Sequence, residues 1–443
     1  MVFVVHPLSV FDAVVDAPPS KPETQRAVLL ASLAAGRSRV SNALRSRETD
    51  AMVASCGALG ARLTWEDNGW TIDGCGFRPG HRVPGGALAV RADGSGLVAR
   101  IFAALGAVVD GGAEIDGNEV LRGRVMAPLF DALAAAGVPV AYRGRPGHLP
   151  ITVGGVGFPG GRFDLPGDVS SQFATALMAV APFGAAPTEI RMTRPVHSAA
   201  YLAQTAAALT RAGIDVAHAD DFARITVTPG VVRPCDTACG GDFTSASYLV
   251  AAAAILPSRL VLRGLAPDSL QGERSILETV AAMGVEIVWS GDTVTVANPT
   301  GRLVGDFHVD VMDGPNIVPT LAAIGAFVEG SLTVTGGALT RLHKSDRIDA
   351  MVSELRRLGV DIAPLERHGR VDGFTVRGRP GYEGGVDLAD HGDHRNFMSL
   401  FVASLRCRRP NRIHGQLDVA QSYPDFLRAF EAGGYPASNA AAE

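Results

Sequence analysis

Long apolar runs are absent from this 443-residue sequence. No stretch reaches the roughly 18 uninterrupted apolar residues that a membrane-spanning helix needs. The segment from Met1 to Ser20 has no basic residues ahead of its apolar stretch, which speaks against a secretory signal. An excess of positive charge is missing too. With 40 basic and 45 acidic side chains the net charge is -5, which disfavours nucleic acid or a membrane surface as partner. Cysteine is scarce and irregularly spaced: Cys56, Cys75, Cys235, Cys239 and Cys407. An odd count without a framework points to reduced thiols in a cytoplasmic protein. The Cys235/Cys239 pair has no second Cys or His pair at matching spacing, so no metal site is expected there.

What the sequence has is repetition. Six segments share a polar or glycine-rich start, an alanine-rich apolar run, a tight turn and a β-branched stretch: Ser20–Val40, Gly94–Ile115, Ser170–Ile190, Thr244–Leu262, Gly314–Val334 and Asp393–Ile413. Their starts lie roughly 70 to 80 residues apart, longer than a solenoid repeat. Each run holds about 12 residues dominated by Ala and Leu, which favours helix, and it is too apolar all round for a surface helix. The stretches Arg259–Leu262 and Ser331–Val334 alternate as half-buried strands do. A second helix follows in most units and ends in glycine: Asp50–Leu59 before Gly60, Ser275–Met283 before Gly284, and Asp349–Leu358 before Gly359. Two groups of three units fill the length, and they divide near the Pro/Gly/Cys-rich stretch Pro229–Gly241.

The starts of the buried helices are the candidate site. A helix N-terminus presents unpaired N–H groups and partial positive charge to an anion. Here those starts also carry Lys21, Arg26, Arg100, Ser170, Ser171, Gln172 and Arg395. Gathered together, they suit a small ligand with several negative charges.

Several motifs occur in order and at matching repeat positions. They are Ser20-Lys21 with Gln25-Arg26; Gly96 with Arg100; Asp168-Val169-Ser170-Ser171-Gln172-Phe173; Gly241-Asp242 with Ser245-Ala246-Ser247-Tyr248; Lys344-Ser345-Asp346-Arg347; Asp393-His394-Arg395; and Tyr423-Pro424-Asp425-Phe426. In these the chain resembles the 5-enolpyruvylshikimate-3-phosphate synthases, and more distantly the UDP-N-acetylglucosamine enolpyruvyl transferases.

The resemblance implies a two-domain inside-out α/β barrel of six helix–strand units, three per domain. One domain would comprise 19–236, and the other 1–18 with 237–443, with the active site in the cleft between them. It implies transfer of the enolpyruvyl group of phosphoenolpyruvate to an acceptor hydroxyl by a cytoplasmic monomer, with no metal or organic cofactor. Arg347 and Arg395 match the grip on the donor carboxylate, Lys21 a lysine between donor and acceptor, and Gly96 and Gln172 contacts to donor phosphate. Ser170, Ser171 and Thr193 match the acceptor-phosphate site, Arg26 the acceptor carboxylate, and Arg124 a further arginine of the site.

The same resemblance marks departures. Asn316 stands where the family has an aspartate base, and an amide has no titratable carboxylate. Lys344 replaces a glutamate and His343 a lysine. Val120, Gln421, Pro22 and Val196 also differ from the pattern. His343 is the candidate replacement acid/base, because imidazole titrates near neutral pH. Lys344 is a candidate phosphate ligand and Asp313 a displaced base, while His197 and His394 lie nearby, His394 orienting Arg395. Three functions therefore compete. They are enolpyruvyl transfer to a phosphorylated acceptor such as a shikimate, sugar or nucleotide phosphate; elimination of phosphate or water from a shikimate-like phosphate; and silent binding.

Overall fold

The computed structural model describes residues 1–416 and 418–436. The chain forms two compact units: a central unit, Pro19–Cys239, and a terminal unit made of Met1–Pro18 and the residues from Gly240 onward. The passage lies a few residues past the boundary expected at 236. Thr237–Ala238 pairs in parallel with Val40 and Ser41, and Cys239 N donates to Ser41 O at 3.0 Å, so these residues complete a central sheet.

The central unit holds three buried helices, Lys21–Leu33, Gly96–Gly106 and Ser171–Val180, each leading into a strand. Those strands, Arg37–Ser41, Ala113–Asp116 and Thr188–Met192, each sit second in a four-stranded sheet. A parallel neighbour lies on one side and an antiparallel pair on the other.

The terminal unit repeats the plan with helices Phe243–Ile255, Val318–Gly325 and His394–Leu405. Its first two sheets follow the same order around Ser258–Arg263 and Val328–Thr335. The last unit departs from the plan. Asn411–His414 pairs antiparallel with Val2–Val5 and parallel with Asp387–Ala389, while Cys407–Arg409 pairs separately with Tyr382–Gly384.

All residues of the second, fourth, fifth and sixth of these helices are buried, as their largely apolar runs favour, the sixth burying a polar first turn as well. Small residues let them press on their own sheets. A Cβ at Gly106 would lie 2.6 Å from the Ala113 Cβ, and one at Gly325 2.4 Å from Val376 Cγ1. Five of the six carry a side-chain N-cap: Ser20, Ser95, Ser170, Asp242 and Asp393. The fifth has none and is entered through the 3-10 turn Pro315–Ile317, which shortens it to eight residues.

Two of the three expected outer helices begin earlier than their patterns suggest, while Ser275–Ala282 begins where expected. Arg47–Ala58 starts at a Ser46/Thr49 capping box, and Arg347–Arg357 at the Asp346 cap. Gly60, Gly284 and Gly359 take the left-handed conformation expected beyond these helix ends, with φ of 104°, 93° and 89°.

In the terminal unit an aromatic cluster joins both ends of the chain. Phe401 lies 4.9 Å, centroid to centroid, from both Phe430 and Tyr435, and 6.0 Å from Phe3.

Candidate anion-binding site

In the central unit, side-chain hydrogen bonds draw the three helix starts together. Gln25 on the first helix donates to Ser95 Oγ, the cap of the second, at 3.3 Å. Arg100 on the second donates to Gln172 Oε1, at the start of the third, at 2.7 Å. Lys21 opens the first helix with Nζ 2.8 Å from Glu48 Oε2. Arg26 is 5% exposed, and three of its five N–H donors go to Thr205 Oγ1, Pro22 O and Tyr201 O. Burial pushes its guanidinium down to about 10. Ser170 accepts from Gln172 N, Ser171 is buried beside it, and Thr193 Oγ1 accepts from Gly167 N at 2.9 Å.

Two guanidinium groups flank Gly96. A Cβ there would lie 2.4 Å from Arg100 Nη1 and 2.6 Å from Arg124 Nη1, so only glycine leaves both arginines in place. Arg100 also donates to Gly96 O and Val125 O and stacks 4.9 Å over the Phe173 ring. Burial, and then the like charge of Arg124, push Arg100 well below the usual arginine range. Like charges held this close in a desolvated site favour an anion between them.

The terminal unit has a second cluster. Arg347, 3% exposed, donates from Nε to Asp393 Oδ2 at 2.7 Å and from Nη1 to Asn316 Oδ1 at 3.0 Å. Asn316 Nδ2 in turn donates to Glu273 Oε1 at 2.9 Å. Burial alone would raise the fully buried Asp393 carboxyl. Arg347, the Arg395 backbone N–H and the Lys344 charge hold it well below the usual carboxylate range instead. Asp393 caps the sixth buried helix through Arg395 N at 3.0 Å, which sets Arg395 in its first turn. His394 Nδ1 lies 3.6 Å from Asp393 Oδ1.

The structure changes the picture of His343. Its Nδ1 lies 2.9 Å from Arg347 Nη1. A guanidinium has no lone pair to offer, so Nδ1 accepts and the ring proton sits on Nε2. His343 thus begins as a partner of Arg347. Asp313 is exposed, and its carbonyl packs against the Gly272 backbone. Of the remaining departures, Val120 is 46% exposed, Gln421 Nε2 donates to Asp418, Pro22 sits in the first turn of the first helix, and Val196 is buried.

Glu273 and Glu48 escaped the sequence reading. Both sit on or beside the outer helices rather than the buried runs. Glu273 lies 43 positions from Asn316, so no local pattern joins them. A glutamate directly after Gln271-Gly272, ahead of a helix, was the only trace of it. Among the described residues no group of three metal-ligating side chains occurs, and no helix is long and apolar enough to cross a membrane.

A mixed α/β chain with buried arginines at its helix starts fits the carboxyvinyltransferase class of enzymes. The chain belongs to the EPSP synthase (3-phosphoshikimate 1-carboxyvinyltransferase) family, whose model matches residues 5–430. It is 33% identical over 418 residues to the 3-phosphoshikimate 1-carboxyvinyltransferase of Methanococcus maripaludis, covering 94% of both chains. With the enzyme of the same name from Methanothermobacter thermautotrophicus it shares 34% over 415 residues, again 94% of both. Among solved structures, an EPSP synthase from Acinetobacter baumannii superposes with a TM-score of 0.81 at 23% identity, over 98% of both chains, a likeness of fold.

Proposed function

We propose that this chain moves the enolpyruvyl group of phosphoenolpyruvate onto a hydroxyl of shikimate 3-phosphate or a close phosphorylated analogue, releasing phosphate. The observation that carries the reading is the family match from residue 5 to 430. It is supported by the arginine clusters at Gly96 and Asp393. In the reaction the acceptor oxygen bonds to the central carbon of the donor while a proton adds to its methylene carbon. Loss of phosphate from the central carbon and of a proton from the methyl group then restores the double bond.

Arg347 and Arg395 would hold the donor carboxylate, as forked guanidinium groups suit that planar anion. Arg100, Arg124, Gly96 and Gln172 would face the donor phosphate, with Lys21 beside them. Ser170, Ser171 and Thr193 would take the acceptor phosphate and Arg26 its carboxylate. Asn316, His343 and Lys344 would stand where the family has its proton-transfer groups. In each unit the helices are buried and the sheets lie outside them, which supports reading the fold as the inside-out α/β barrel. A cytoplasmic monomer fits the biosynthetic relatives.

The test is to incubate the protein with phosphoenolpyruvate and shikimate 3-phosphate and follow phosphate release and product mass. Phosphate released only with both substrates, with an enolpyruvyl adduct in the mass spectrum, is the expected result. Phosphate from the acceptor alone would replace transfer by elimination. No turnover with ligand-raised melting temperatures would leave a binding protein.

A further inference from the structure

Glu273 is 1% exposed and lies on the 3-10 turn Gly272–Arg274, outside all six buried helices. That turn is locked against the loop that enters the fifth helix. A Cβ at Gly272 would lie 2.1 Å from Asp313 O, and one at Gly314 2.8 Å from Gly272 O. Backbones this close leave little freedom to the side chains between them. The Glu273 carboxylate meets Asn316 Nδ2 at 2.9 Å, and Asn316 Oδ1 meets Arg347 Nη1 at 3.0 Å. Only one amide orientation satisfies both neighbours. The flipped amide would set oxygen against a carboxylate and N–H against a guanidinium. Glu273, Asn316, Arg347 and Asp393 therefore form one line in which each donor faces an acceptor.

We infer that Glu273 is a positioning residue that fixes the Asn316 carboxamide and, through it, the Arg347 guanidinium in the orientation that receives the donor carboxylate. At the start of the fifth helix the carboxylate is that of Glu273, and residue 316 beside it is a neutral amide. Placing aspartate at 316 sets two carboxylates within hydrogen-bond distance. They can share one proton but cannot both ionise without repulsion. The pair tolerates one carboxylate, on either residue. This inference rests on the proposed reading, in which Arg347 grips phosphoenolpyruvate.

The experiment compares wild type, Asn316→Asp, Glu273→Gln and the double variant E273Q/N316D. We expect N316D to raise KM for phosphoenolpyruvate by about ten-fold at pH 8 and by less at pH 6, with kcat changed less. Adding E273Q should return KM to within about three-fold of wild type and remove the extra pH dependence, the signature of coupled neighbours. Wild-type KM in N316D at both pH values, or no rescue by E273Q, overturns the inference while leaving enolpyruvyl transfer intact. If wild type turns over neither substrate, the proposed function fails, and the pair is read from melting temperatures of the same proteins. N316D melting lower at pH 8 than at pH 6, with recovery in the double variant, supports the coupling. Equal melting at both pH values overturns it.

Discussion

Replacing Arg347 with methionine removes the guanidinium that neutralises Asp393, which has no exposed surface. Truncating one partner of a buried ion pair costs about 3–5 kcal/mol, because the remaining charge stays desolvated. Asp393 keeps the Arg395 N–H and the Ser345 hydroxyl as donors, so the lower end, about 3 kcal/mol, is expected here. In a unit of this size each kcal/mol shifts melting by about 2–4 °C, which predicts a drop of about 6–12 °C. Asp393→Asn alone should cost less, because Arg347 retains Asn316 and His343. The double variant R347M/D393N should cost less than the sum by about 1.5–3 kcal/mol, within the range of coupling for residues in contact.

The pH dependence follows from the depressed Asp393 carboxyl. Its stabilisation is fully present above the unfolded aspartate value near 3.9 and is lost as pH falls toward the lower folded value. Calorimetry should therefore show the gap between wild type and D393N beginning to narrow below about pH 4 and continuing to shrink down to the lower folded value. Additive single costs, or a gap that does not narrow as pH falls from about 5 to about 2, would refute the pairing as the source of stability.

Arg395→Ala should weaken phosphoenolpyruvate binding by about 2 kcal/mol or more, roughly 30-fold, in a titration followed by calorimetry; unchanged affinity removes Arg395 from the carboxylate grip. Arg124→Gln should raise the melting temperature of the ligand-free protein by a few degrees, since it removes the like charge beside Arg100, and should weaken phosphate binding. Burial pushes the thiols of Cys56 and Cys239 up to about 12, and those of Cys75 and Cys407 up to about 11. Alkylation at pH 8 should therefore mark Cys235 first, and peptide mapping that finds Cys56 labelled equally fast in folded protein would refute this. Phe401→Ala should cost about 3–5 kcal/mol as a fully buried aromatic, measured by urea unfolding.

The buried helices were legible because their signal is local. Ala251–Ala254 inside Phe243–Ile255 can only be an interior helix, and Ser170 or Asp393 marks a start within a few residues. The arginines at those starts were legible for the same reason. The pairing of Thr237–Ala238 with Val40–Ser41 was not, since two residues carry no periodicity and the contact spans nearly two hundred positions. Nor was the role of Glu273, whose meaning depends on which backbone packs against its turn. His343 shows the other side of this. Its residue type suggests an acid/base, and the structure adds a contact that no pattern carries, its Nδ1 lying against Arg347 Nη1 at the start of the following helix.

The split of the last sheet bears on how the protein is made. The central unit is one continuous segment, so all its strands are made before the long second part of the terminal unit, which begins at Gly240. The terminal unit cannot close in that way. Val2–Val5 is synthesised well before its partner Asn411–His414, which comes about four hundred residues later. At elongation rates of about 5–20 residues per second, that strand waits about 20–80 s with an open edge. Unpaired edges invite wrong partners. Until Asn411–His414 is made, Val2–Val5 is thus an edge open to wrong pairing for most of the synthesis of this enzyme.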